Sequence, residues 1–280
     1  MKKLFALTLA ALMLVGMLVS CSGQDLNFGK QYVAADTQMN VLVQLNAKSA
    51  DVGIMDSVMA GYYLSQDTTY ANSLQLADDM TLAVEEYGIA ARKGSALIKA
   101  INTALVALKA DGTLDEIAKK YGLENELLID ADTEIAAPTE EELKDWNYIV
   151  NKGEVVVGYT EFAPIAYKED GKLIGFDIEL AKAVADVLDL DVKFELIDWS
   201  AKEAKLEAKA IDCIWNGMSI TPEREEQMEI SLPYLYNKQV AIIRVADKDK
   251  YTDKDSMARA IIGAEAGSAG EACIVKAKEE

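Results

Sequence analysis

The sequence contains no histidine. The commonest general base and neutral metal ligand are therefore missing. Only three cysteines and four prolines occur in 280 residues. Cys21, Cys213 and Cys273 fall at no spacing that would hold zinc or serve a thiol nucleophile. A Cys213–Cys273 disulfide is one reading. Two buried thiols acting as small hydrophobes is the other, since Cys213 lies in the apolar run Ile211 to Trp215 and Cys273 in a helical stretch. No motif asks for a cofactor or a metal. Basic residues are the minority, 28 Lys and Arg against 47 Asp and Glu, for a formal charge of −19. Phosphate contacts need a basic face, so nucleic acid is not an expected partner.

One long apolar run is present, and it stands at the start. Lys2 and Lys3 precede Leu4 to Val19, and Ser20 and Cys21 follow. A basic start, an apolar centre and a small residue before cleavage describe a secretory signal over residues 1–20. The run is short for a membrane span, which needs about twenty apolar residues. Leu18-Val19-Ser20-Cys21 also resembles the lipobox of bacterial lipoproteins. That resemblance implies lipidation at Cys21, a linker over 21–28, and an extracytoplasmic chain anchored to the cell membrane. The plainer alternative is an ordinary cleaved signal with Cys21 incidental.

The rest alternates short β-like runs with helices, which predicts an α/β fold. Strands are expected at Tyr32–Ala35, Val52–Met55, Tyr87–Ala91, Val155–Val157, Val192–Leu196, Ile211–Trp215, Val240–Val245 and Ile261–Ala264. Helices are expected at Met39–Leu45, Val58–Leu64, after Ser95, after Gly112 and over Phe176–Leu188. Ser95 reads as an N-cap, and Thr113 with Glu116 and Ser200 with Glu203 as capping boxes. Residues 124–145, acidic with Ala and Thr, read as a connector.

From residue 153 onward, Val155-Val156-Val157-Gly158, Phe162-Ala163-Pro164, Gly175-Phe176-Asp177, Asn216-Gly217-Met218-Ser219, Thr221-Pro222-Glu223-Arg224 and Gly267-Ser268-Ala269-Gly270 follow one another. This stretch resembles the first half of the polar amino-acid binding proteins of ABC importers, family 3 solute-binding proteins. Residues 29–123, with Asp51 to Asp56, Tyr87 to Gly94 and Lys109 to Lys120, resemble the second half of the same family. The order is inverted, as in a circular permutation. The resemblance implies a two-lobed fold of the periplasmic-binding-protein type II class with an interlobe cleft. One lobe would take 85–123 and 146–244, the other 29–84 and 245–280. A chain closing on itself is one arrangement; a product of tandem duplication whose halves swap between chains is another.

A free amino acid presents a carboxylate, an ammonium and a side chain, and a site must answer all three. An Arg fork suits the carboxylate, a helix N-terminus adds amide donors, an Asp takes the ammonium, and aromatic faces flank the remainder. The resemblance assigns Arg224 to the carboxylate, with Asn216, Gly217 and Ser219 lining the cleft beside it. Ser268, Ala269 and Gly270 would offer amides from the other lobe, and Asp56 would hold the ammonium. Phe162 and Trp199 would sandwich the side chain, and Thr160 and Glu161 would set selectivity. The lobes would close about crossings near Ala83–Tyr87 and Arg244–Asp247, and the closed form would dock on ABC permease subunits. A binding protein and not an enzyme is expected. The alternative is a secreted dehydratase on the same fold, for which Glu161 is the one obvious acid in the cleft. A sensor reading lacks its output domain.

Overall fold

The computed structural model describes residues 25–66 and 68–276; the signal 1–20 and Cys21 lie outside them. The strands are β1 (Gln31–Ala35), β2 (Val52–Asp56), β3 (Leu74–Arg92), β4 (Glu154–Tyr159), β5 (Tyr167–Glu169), β6 (Lys172–Ile174), β7 (Asp191–Leu196), β8 (Cys213–Ser219), β9 (Met228–Ile230), β10 (Leu235–Arg244) and β11 (Ile261–Glu265). One sheet runs β1-β11-β2-β10-β3-β8-β4-β7, with β9 attached to β3; β5 and β6 form a separate hairpin.

Both ends of this sheet are parallel. β1, β11 and β2 run together, as do β8, β4 and β7. The middle is antiparallel, β10 lying between β2 and β3, and β3 pairing with β8. Parallel neighbours need a crossover connection. Helices supply it: Gln38–Asn46 between β1 and β2, Phe176–Val187 between β6 and β7, and Lys202–Glu207 between β7 and β8. The α/β class expected from the alternation is the class observed. Thr37 caps the first of these helices, its hydroxyl accepting from the Asn40 amide.

Strand alternation sorts the core. Val52 and Ile54 of β2 and Ala241 and Ile243 of β10 join Ile262 and Ile274 in one apolar cluster. Met55, Val240 and Ile242 face the other way, into the larger cluster that holds Phe176, Leu180, Trp215 and Leu235. The Phe176 and Tyr234 rings stack there with an interplanar angle of 13°.

β3 and β10 tie the two parallel ends together. β3 pairs with β10 up to Tyr87 and with β8 and β9 from there to Arg92. β10 takes up β2 only from Gln239 onward. The second crossing therefore lies at Lys238–Gln239, earlier than the Arg244–Asp247 expected from sequence. Arg244 ends β10 deep in one half, donating to the Leu45 and Ala50 carbonyls and pairing with Asp51 and Asp247.

Three capping expectations fail in instructive ways. The helix Thr113–Lys120 is entered through Gly112 in the left-handed region, with φ 88°, and the Thr113 amide goes to the Asp111 carboxylate, so Thr113 caps nothing. Ser200 lies in a 3-10 turn, Trp199–Ala201, ahead of the helix Lys202–Glu207, and Glu203 pairs with Lys202 at 3.0 Å rather than closing a box. The helix after Ser95 starts at Leu97 with Ala96 at its N-cap; the Ser95 hydroxyl accepts from the Leu97 amide at 3.3 Å and donates to Asp145. Within the expected connector a helix begins, Leu143–Lys152, ended by Gly153 in the left-handed region. Cys213 and Cys273 are free thiols, Cys213 buried and Cys273 partly so.

Candidate functional site

The cleft is built where strands end. Val52 to Asp56 is buried at every position, so the strand delivers the Asp56 carboxylate into the interior. That carboxylate is 4% exposed. It accepts from the Tyr87 hydroxyl at 2.9 Å and the Gln239 amide at 2.8 Å, and also from Asn237 and Gln38. All four donors are neutral. Burial, reinforced by the neighbouring Glu85 carboxylate, pushes its pKa up to about 7 against the pull of those donors. Glu85 shares the same amides, accepting from Asn237 and Gln239 at 3.0 Å each and from the Ser219 hydroxyl at 2.9 Å.

Arg224 follows Thr221 and Pro222, which cap and open the helix Pro222–Gln227, the Thr221 hydroxyl accepting from the Arg224 amide. Its guanidinium donates to the Ser219 carbonyl at 2.7 Å and to the Gly267 carbonyl, across the cleft, at 3.3 Å. Burial pulls its pKa down from the usual guanidinium value. Its carbon lies 6.0 Å from the centre of the Trp199 ring. Lys202, 3% exposed, sits 4.7 Å over the same ring and also donates to the Gly267 carbonyl.

From the other half, β11 ends at Glu265, and Ser268 caps the short helix Ala269–Ile274 by accepting from the Glu271 amide. The Ala269 and Gly270 amides stand in its first turn, where no intrahelical acceptor exists. Burial and the nearby Asp56 raise the Glu265 pKa to about 8, with Lys202 opposing.

One cleft is lined by Asp56, Thr160, Glu161, Phe162, Trp199, Asn216, Gly217, Ser219, Arg224, Ser268 and Ala269. Eleven of the twelve residues singled out for ligand binding thus converge on it. The twelfth, Gly270, lies behind the wall: a Cβ there would stand 3.0 Å from the Gln239 side chain and 3.1 Å from the Ile54 carbonyl. The space between the walls is small, about 20 Å³ to a water-sized sphere.

The geometry redistributes some roles. The Gly217 amide donates to the buried Asp177 carboxylate at 2.8 Å, so it does not face the cleft as a donor. Gly217 is needed for another reason: its φ is 59°, and a Cβ would lie 2.7 Å from the Phe162 ring. Asn216 donates to the Thr160 hydroxyl at 2.7 Å, while its carbonyl oxygen is buried without a partner among the described residues. Glu161 pairs with Lys168 at 3.3 Å on the exposed rim. Phe162 meets Tyr87 edge to face, and Trp199 is faced by Arg224 and Lys202.

Gln38 and Glu265 also line the cleft, and the sequence reading missed both. Glu265 had a signal: it ends an apolar strand just before the Ala266-Gly267-Ser268 turn, as Asp56 ends its own strand before a helix. Gln38, at the start of a helix, had none.

The model of the bacterial extracellular solute-binding proteins, family 3, matches residues 155–266. The arginine-binding extracellular protein ArtP of Bacillus subtilis is 31% identical over 43% of this chain and 47% of its own length. A probable amino-acid ABC transporter-binding protein of Haemophilus influenzae is 34% identical over 39% of this chain and 44% of its own. Among solved structures, an ABC uptake transporter substrate binding protein from Streptococcus pneumoniae with bound histidine is 39% identical, covering 30% of this chain and 35% of that one, with a TM-score of 0.29. The chain spans less than half the length of these curated relatives.

Proposed function

We propose that this chain, which belongs through residues 155–266 to the family 3 bacterial extracellular solute-binding proteins, captures a polar amino acid in the cleft between its two halves and delivers it to an ABC importer. The observation that carries the reading is the convergence on one cleft, from the two halves of the sheet, of a buried carboxylate, Asp56, and a half-buried guanidinium, Arg224. An α-amino acid has the complementary pair of charges. Arg224 would grip the carboxylate and Asp56 the ammonium, with the Ala269 amide adding a donor. Phe162 and Trp199 supply the apolar walls, and Thr160, Glu161, Asn216 and Ser219 the polar lining. A ligand bridging both halves binds their closed arrangement better and shifts the population toward it, the halves turning about β3 and β10.

On the same reading the second half of the family precedes the first. The pairing of β1 with β11 supports a chain that closes on itself in this permuted order. The protein would be exported by residues 1–20, anchored through a lipidated Cys21, and would meet permease subunits at the membrane. Among the described residues no helix is long and apolar enough to cross one.

A thermal-shift screen against the twenty amino acids tests the reading. At least one polar amino acid raises the melting temperature, and Asp56→Ala and Arg224→Ala each abolish the shift. Stabilisation by none, in a folded sample, overturns it. So does wild-type affinity in both variants.

A further inference from the structure

We infer that Glu265, with the side-chain oxygen of Asn216, selects a ligand that carries a second cationic group, a dibasic amino acid. The inference rests on the amino-acid-binding reading above and narrows it.

Glu265 is 5% exposed and lines the cleft beside Asp56. Among the described residues nothing donates a hydrogen bond to its carboxylate and no cation pairs with it. Lys202 is the nearest in influence, but Lys202 is already paired with Glu203 at 3.0 Å and bonded to the Trp199 and Gly267 carbonyls. Asp56 differs, for its oxygens are met by four neutral donors. Glu85 differs too, being held by Ser219, Asn237 and Gln239. Glu265 is thus the buried carboxylate of this cleft left without a donor.

Charge points the same way. Asp56, Glu161 and Glu265 are the acidic residues lining the cleft, against Arg224 as the basic one. A zwitterion with a neutral side chain adds no net charge and leaves that imbalance in place. It would also occupy Arg224 and Asp56 and leave the buried Glu265 carboxyl without a hydrogen-bond partner, a cost for any buried polar group. A guanidinium or second ammonium brings the missing charge and three to five donors. The Asn216 oxygen, buried without a partner, is a second acceptor in the same cleft. Two acceptors of the lining, the Glu265 carboxyl and the Asn216 oxygen, thus have no donor among the described residues.

Isothermal titration of wild type, Glu265→Gln and Glu265→Ala with arginine, lysine and glutamine tests this. Wild type should bind arginine or lysine at least about tenfold tighter than glutamine. In both variants the ratio of cationic to glutamine affinity should fall by about tenfold or more. Equal or tighter binding of glutamine by wild type overturns the inference while leaving the amino-acid-binding reading standing. An unchanged ratio in variants with a cooperative melt also overturns it. Binding of no amino acid at all removes both.

Discussion

Asp56 and Glu265 are held inside the protein with their pKa values raised to about 7 and about 8, chiefly by burial. Asp177, buried under Gly217 and Tyr234, is raised to about 7 for the same reason. In the unfolded chain such carboxyls ionise near pH 4. Between those limits the folded state keeps protons that the unfolded state has lost, so stability falls as pH rises. The melting temperature of the unliganded protein should therefore drop from about pH 5 to about pH 8, by several degrees for a chain of this size. Asp56→Asn should flatten part of that slope. Groups held low, such as Glu142 with its Lys99 and Thr139 partners, act below this window and oppose the trend only there. A melting temperature that climbs across the window would contradict the burial argument. Asp56 itself was legible through the resemblance of Asp51 to Asp56 to the family's strand that ends in Asp. Its network was not: Gln38, Glu85, Asn237 and Gln239 are ordinary polar residues until the sheet sets them around one carboxylate.

Elements were legible where periodicity is strong. Leu97, Ile98, Ile101, Leu105 and Leu108 mark one face of a helix, and all are buried. Ends were less so, because a Ser or Thr can cap a helix or serve another partner, and only tertiary contacts decide. Ser95 shows this: its hydroxyl is shared with Asp145 of the helix Leu143–Lys152, an element hidden within the acidic run. That helix is fixed by Arg92 at the end of β3. Arg92 pairs with Asp145 at 2.8 Å and with Asp212, at the entrance to β8, at 3.0 Å. Asp212 is fully buried and also meets Lys152 and the Val156 amide. Removing the guanidinium leaves buried charge short of a partner, which costs about 3 kcal/mol. Arg92→Ala should lower unfolding stability by about that much in urea denaturation. None of these residues lines the cleft, so ligand affinity should change by less than about threefold. A loss of binding with little loss of stability would mean the clamp shapes the site directly.

At the scale of the molecule, the α/β class was legible from alternation, but the route of the chain through the sheet is a property of pairing that no local pattern encodes. Its consequence is specific. β1, β2 and β3 precede the exposed stretch around residues 131–141, and every strand they pair with, β11, β10, β8 and β9, follows it. The two sides of that stretch are interleaved strand by strand. Exposed backbone of this kind is where proteases cut. A single cut between residues 131 and 141 should therefore leave two fragments that elute together in gel filtration, since separating them would break the sheet at β1–β11, β2–β10 and β3–β8 at once. Arg92–Asp145 and Lys99–Glu142 also span the cut and hold the pieces in register. The nicked protein should melt within a few degrees of the intact chain and keep whatever ligand response the intact chain has, because Asp56 lies on one fragment, Arg224 and Glu265 on the other. Fragments that separate under native conditions would mean that each side folds alone, and the cleft would then be an assembly of two domains rather than the seam of one sheet.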